Sequence, residues 1–447
     1  MDDTDTAAVS RLANGIPLHA AIDTSDAAAW MRLDLAVRER AGTRPSTLPR
    51  LSWATGRRLR WSWDAPLPTL DLRPREPDKP AIAVALCHAD GRIREAALRH
   101  AGRLPAPALL PLLPLVAIRC ADWAEPVRDV ARDLLRSALP TLGPETIDVL
   151  AAVILRAAAR RYGEPARALL EAALREGPAP VLDAVLVSRD RATRRLAHRI
   201  AVERRHLSPE RLSASAAADP DVVIQDICAT GAVAGATPEN KREILAPLLR
   251  SAHGRVRAAG VTALRRAGRP EDAEAFLADR SSLVRACARY VLRQSGVEPA
   301  PLYRALCSGE AVPARAPLGL AECGTREDVV LLWPLTEHPL PGVRAHAVAG
   351  LRVLEAPGAL RLLTLLDDPA PRVVRETVTA LLPWAERLPV DELRARLGTE
   401  NPGHVRVGAF RLLAAVCADT ELGEIAWPLL DDDEPKLRAH ARATLCC

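Results

Sequence analysis

A Val-Arg step, followed three residues later by a small side chain and four later again by leucine, returns along most of this 447-residue chain. It reads GVRAHAVAGL at 342–351, HVRVGAFRLL at 404–413, LVRACARYVL at 283–292 and RVRAAGVTAL at 255–264. Aligned on that step, the arginines are Arg94, Arg128, Arg167, Arg194, Arg257, Arg285, Arg315, Arg344, Arg375, Arg406 and Arg438, with Ile224 in their place in DPDVVIQDICATG at 219–231. Over the second half the spacings are 28, 30, 29, 31, 31 and 32 residues. A fixed period of this length marks stacked supersecondary units, each unable to bury its apolar faces alone. The residue before the arginine, the small residue and the leucine stand at i, i+4 and i+8, so they share one helical face that must be buried.

A turn signal precedes each such helix: ADPD at 218–221, DDPAPR at 367–372, ENPG at 400–403 and DDDEPK at 431–436. Asp and Asn there suit helix N-caps and turns. Before each turn lies another short apolar-periodic stretch, such as NKREILAPLLR at 240–250 or VDELRARL at 390–397. The unit is therefore helix, tight turn, helix in about 30 residues. The pattern DP-x-x-x-VR-x-x-A-x-x-x-L behind a leucine-rich helix resembles the HEAT-repeat superfamily, in particular its short bacterial branch. That resemblance implies an all-α, right-handed superhelical α-solenoid of about twelve helical hairpins over 80–447. It also implies that the arginine column is a ladder, each rung reaching an Asp or a carbonyl of the adjacent repeat. A ligand is not periodic, so a column this regular reads as architecture.

Composition agrees with short, closely packed helices. Hydrophobic residues make up 49% of the chain, aromatics only 3%, and 38 prolines forbid long uninterrupted helices. The net charge of +5 selects no partner class. The nine cysteines form no C-x-x-C pair or zinc-type cluster, which fits small core residues in a reducing compartment. The acidic start and the lack of an uncharged apolar run of about 18 residues predict a cytoplasmic chain with no membrane span. Residues 1–79 lack the repeat and read as an N-terminal cap. Within them, ATGRRLRWSWDAP at 54–66 interleaves Arg57, Arg58 and Arg60 with Trp61 and Trp63 at strand period. Such a segment either covers the apolar face of the first repeat or clamps a nucleic-acid strand.

Departures from the repeat are where a binding site is expected. In SRDRATRRLAHRIAVERRHLSPER at 188–211, eight arginines face three acids. Arg195 replaces the alanine common just after the column, and Arg191, Arg195 and Arg199 form an i, i+4, i+8 stripe beside His198. Arg204, Arg205 and His206 follow at the helix end, where cations suit the dipole. The repeat reads either as a solvated face or as a patch for phosphate, nucleic acid or an acidic protein segment. Trp333 and Trp427, in LLWPL and IAWPL, read as inter-repeat packing. Trp123 with Asp129 is similar to the aromatic-plus-acid sites of HEAT-like alkylpurine DNA glycosylases, and Cys87-His88 to the branch that assists bilin attachment.

No G-x-G-x-x-G, Walker loop, G-x-S-x-G or H-E-x-x-H is present. The sequence thus predicts a non-catalytic scaffold or adaptor that binds a protein along its concave groove and calls for no cofactor or metal. A nucleic-acid-binding protein of glycosylase type and an accessory to a biosynthetic or lyase-type enzyme are the alternatives. The oligomeric state is left open.

Overall fold

The computed structural model describes residues 3–43, 79–237, 240–356 and 358–445. Every regular element among them is helical, and no helix is long and apolar enough to cross a membrane. The chain divides into two compact units, Met1–Gly231 and Ala232–Cys447.

One hairpin of the second unit shows why the unit folds as it does. Lys241–Arg250 buries Ile244, Leu245 and Leu248, and Gly254–Arg266 buries Val256, Gly260, Val261 and Leu264. The two faces meet where the small column falls. A side chain on Gly260 would lie 3.0 Å from Leu248 Cβ and 3.1 Å from Leu249 Cδ2, so small residues set how closely the helices approach. Pro270–Phe276 and Ala359–Asp367 are 3₁₀ segments in the place of first helices, and Leu382–Arg387, with Pro383 near its start, closes the helix Pro371–Leu381 as 3₁₀.

The arginine column is a ladder. Arg257 donates from Nη1 to the carbonyls of Ser251 (2.8 Å) and Ala252 (3.1 Å) in its own turn. With Nε (2.8 Å) and Nη2 (2.7 Å) it forks onto Asp279 in the next. Arg344 repeats this on His338 O (2.9 Å) and Asp368 (2.7 and 2.8 Å). In the first unit Arg94 does so on His88 O (2.7 Å) and Asp122 (2.8 Å twice). Arg285 forks onto Glu322, and Arg406 reaches both Asp432 and Asp433. The forks onto Asp122, Asp279 and Asp368 are charge-assisted and bidentate, and each of these carboxylates also accepts a turn amide, so one group fixes both the turn and the neighbour's position.

Except at Arg406, which reaches Leu397 O, the rung residue lies six positions after the turn carbonyl it contacts, and this offset corrects the alignment in three repeats. In the 219–231 repeat the rung is Gln225, whose Nε2 donates to Asp219 O at 2.7 Å, while Ile224 is fully buried in the valine column. Six residues after Asp368 stands Val374, 1% exposed, and Arg375 points out to solvent. In the third repeat, Ala316 and Leu320 fill the two buried columns, Pro317 takes the rung, and Arg315 is the residue that precedes the helix. Arg167 is in register but bonds within its own helix, to Glu171 at 2.9 Å.

In the first unit, helices Asp3–Ala13 and Ala27–Thr43 pack on the first repeats, chiefly on Lys79–Leu86 and Pro144–Ala158. Trp30 is buried there, its Nε1 donating to Thr24 O at 3.1 Å. The stretch holding Arg57, Arg58, Arg60 and Trp61 lies outside the described residues.

Candidate functional site

The arginine-rich repeat folds into Arg191–Glu203 because Asp190 caps it, accepting from Thr193 N (2.9 Å) and Thr193 Oγ1 (3.1 Å). Its core face is Thr193, Leu196, Ala197, Ile200 and Ala201. Arg205, at φ +52°, turns the chain out of the helix.

Four of the eight arginines at 188–211 are engaged by the fold. Arg194 is the rung, on Ser188 O at 3.1 Å and Asp219 at 3.3 Å. Arg195 grips both oxygens of Asp221 at 3.0 Å, and Arg191 lies 3.8 Å from the same carboxylate. Burial alone would raise the Asp221 pKa. Hydrogen bonds from Arg195 and from the Val223 and Ile224 amides reverse this and hold it below its ordinary value. His198 is 5% exposed, with Nδ1 at 2.9 Å from Arg194 O, so the structure places it in the core rather than on the stripe. Arg204 donates to Leu174 O (2.8 Å) and Gly177 O (3.1 Å), closing the end of the preceding repeat's helix. His206 pairs with Asp183 at 2.8 Å. Arg189, Arg199, Arg205 and Arg211 remain exposed, and among the described residues none has a hydrogen-bond or ion-pair partner for its guanidinium. At the turns, Val187 is 80% exposed and Val222 57%, and Val223 is also open to solvent. The sequence pattern missed these valines because two of them abut the Ile224 column, where apolar residues were assumed buried.

A second charged cluster has an internal centre with two half-buried arginines, Arg38 and Arg160, at its edge. Asp34, from the N-terminal helices, accepts from Arg38 (3.2 Å), Arg119 and Arg160 (3.4 Å). Asp122 accepts from Arg94 (2.8 Å), Arg119 (3.2 Å) and Arg38 (3.3 Å). Asp34, Asp122, Arg94 and Arg119 are each at most 2% exposed. Cys87 is buried beside them, and burial first, with the Asp34 charge second, pushes its thiol up to about 12. A thiol so placed is closed to chromophore attachment in the folded chain.

The remaining tryptophan expectations divide. Trp333 lies under the Arg361 guanidinium at 4.4 Å, but Trp427 is 70% exposed and packs between no repeats. Trp123 is 54% exposed and Asp129 is also exposed, so the fold does not enclose the pair. Among the described residues no group of three or more His, Cys, Asp or Glu could hold a metal ion.

No protein-family model and no curated protein matches the sequence. Among solved structures the chain is similar to the karyopherin Kap121p bound to the SUMO protease Ulp1p, at 14% identity and a TM-score of 0.34. The match to Kap121p alone is at 14% and 0.33. Each match covers 81% of this chain and 48% of the other, so the chain spans about half the length of these structures.

Proposed function

We propose that the chain is a non-catalytic scaffold that binds a protein partner, and that the surface around Arg199, Arg205, Val187, Val222 and Val223 is one contact. The observation that carries this is the break-up of the basic stripe. A nucleic-acid groove needs cations in sequence along a phosphate backbone. Here Arg195 and Arg191 share Asp221 and Arg204 is turned onto carbonyls, and what is left is scattered single cations, with exposed valines at the turns. Exposed apolar side chains together with a few unpaired arginines suit a protein interface.

A photo-crosslinker at position 222 of the full chain tests this. It should capture a defined protein, and Arg199→Glu with Arg205→Glu should weaken that complex about tenfold or more. Capture of nucleic acid, with affinity falling steeply as salt rises, would establish the alternative reading instead. A complex indifferent to both reversals would remove this surface from the proposal.

A further inference from the structure

In this fold a partly buried arginine is almost always matched by a carboxylate or by carbonyls. Arg315, half-buried, is not, and Arg372, an exposed cation beside Gly342, is not matched either. Neither has an ion pair or hydrogen bond to its guanidinium among the described residues. Both stand two positions before a rung that is itself missing, Pro317 in one repeat and Val374 in the other. The turn before Pro317, residues 309–314, also lacks the aspartate of its sister repeats.

The residue two before the intervening rung, Arg344, is Gly342. A Cβ there would lie 3.1 Å from Arg372 Nη2 on one side and 3.1 Å from Ala314 Cβ on the other. The missing side chain thus lets the Arg372 guanidinium lie across the start of helix Pro341–Val353, toward Ala314, the residue before Arg315. The neighbouring charges do not neutralise the pair. Arg285 is occupied by Glu322, Arg280 donates to Ala252 O, and Asp279 is already forked by Arg257. Glu376, one turn after Arg372, makes no ion pair with it among the described residues. Neither Pro341–Val353 nor Pro371–Leu381 has an acid in its first turn or a side-chain cap. Burial first, then Arg285 and Arg372, hold the Arg315 pKa below its ordinary value, which records the uncompensated repulsion.

We propose that Arg315 and Arg372, brought together across Gly342, form a binding site for a doubly charged phosphate monoester. Two guanidiniums match the dianion in charge and can each fork onto its oxygens. A carboxylate or a phosphodiester carries only half that charge. The group arrives either on a phosphorylated side chain or on a small phosphorylated metabolite, since both present the same chemistry. The site stands apart from the 188–211 surface and holds whether or not that surface binds a protein.

His346 supplies a built-in reporter. It lies one turn along from Gly342, with Nδ1 2.6 Å from Gly342 O. Burial first, and Arg315 and Arg372 after it, lower its pKa, while Glu376 and the Gly342 carbonyl oppose them. A dianion between the two arginines cancels their effect, so the His346 titration midpoint should move up when the site fills.

The experiment uses the full chain with four probes: inorganic phosphate, a phosphoserine peptide, its unphosphorylated twin and a single-stranded oligonucleotide. Calorimetry should show binding of a monoester probe but not of the unphosphorylated peptide. Arg315→Gln and Arg372→Gln should each weaken it about tenfold or more. The histidine proton spectrum should show the His346 midpoint rising on saturation. Arg372→Lys, which keeps the charge and loses the fork, guards against a folding defect and should bind with intermediate affinity. Binding of the peptide alone identifies a phosphorylated protein as the source, and equal binding of inorganic phosphate identifies a small molecule. Binding unchanged in both glutamine variants, an unmoved His346, or an oligonucleotide that outcompetes both inorganic phosphate and the phosphoserine peptide would each overturn the assignment.

Discussion

Asp122 shows how much can rest on one carboxylate. It is 2% exposed and accepts hydrogen bonds from Arg94, Arg119 and Arg38 while anchoring the Ala124 amide. Burial opposes its charge, and the hydrogen bonds and charges of Arg94 and Arg119 outweigh burial, leaving its pKa lowered. Removing the charge strands those guanidiniums where water cannot reach them. Asp122→Asn should therefore cost about 3–5 kcal/mol, read as a lower urea midpoint at constant slope. Asp133, in a solvent-exposed pair with Arg136, is the control, and Asp133→Asn should leave the midpoint where it was. A small effect at Asp122 would mean that the cluster is wet. The buried thiols give a second residue-scale check. Burial raises both Cys87 and Cys120 to about 12, so peptides containing them should stay unlabelled by iodoacetamide until the chain unfolds.

At the scale of the element, the basic helix is held at its start by Asp190 and at its end by Arg204 and Arg205. Asp190→Ala removes the acceptor for Thr193 N and should destabilise the first unit by about 1 kcal/mol, measured by thermal unfolding. This helix also shows what could be read in advance. Its buried face and cap follow from local periodicity and were legible in the chain. The partner of Arg195 was not, because Asp221 lies in the next turn, 26 residues on, and only stacking brings the two together. The rung slips have a different cause. At 222–224 and 373–374 consecutive β-branched residues offer two positions for the valine column, and the arginine or isoleucine nearest the pattern draws the alignment off by one. Counting six residues from Asp219 or Asp368 would have found Gln225 and Val374. The same count exposes Arg315 and Arg372 as cations outside the ladder.

Across the whole chain the ladder makes stability depend on pH in one direction. In Asp122, Asp279, Asp368 and Glu322, burial alone would raise the carboxyl pKa, and guanidinium hydrogen bonds overcome it, so all four are lowered in the folded state. A carboxylate whose folded pKa lies below its unfolded value, 3.8 for Asp and 4.5 for Glu, contributes stability that is present above that value. The contribution is lost as pH falls through the folded pKa, because the unfolded chain takes up the proton first. The urea midpoint should accordingly stay level from about pH 7 to about pH 5, then fall steeply below about pH 4, with net proton uptake on unfolding. Both units should respond, since Asp122 lies in one and Asp279, Asp368 and Glu322 in the other. Each rung joins neighbouring repeats, so its protonation weakens an interface and not just one hairpin, and loss should spread from repeat to repeat within a unit. Amide exchange at about pH 4 should therefore show protection falling first in the helices that flank Asp279 and Asp368. A midpoint that rises on acidification, or protection lost evenly across both units, would contradict a ladder of ionised rungs.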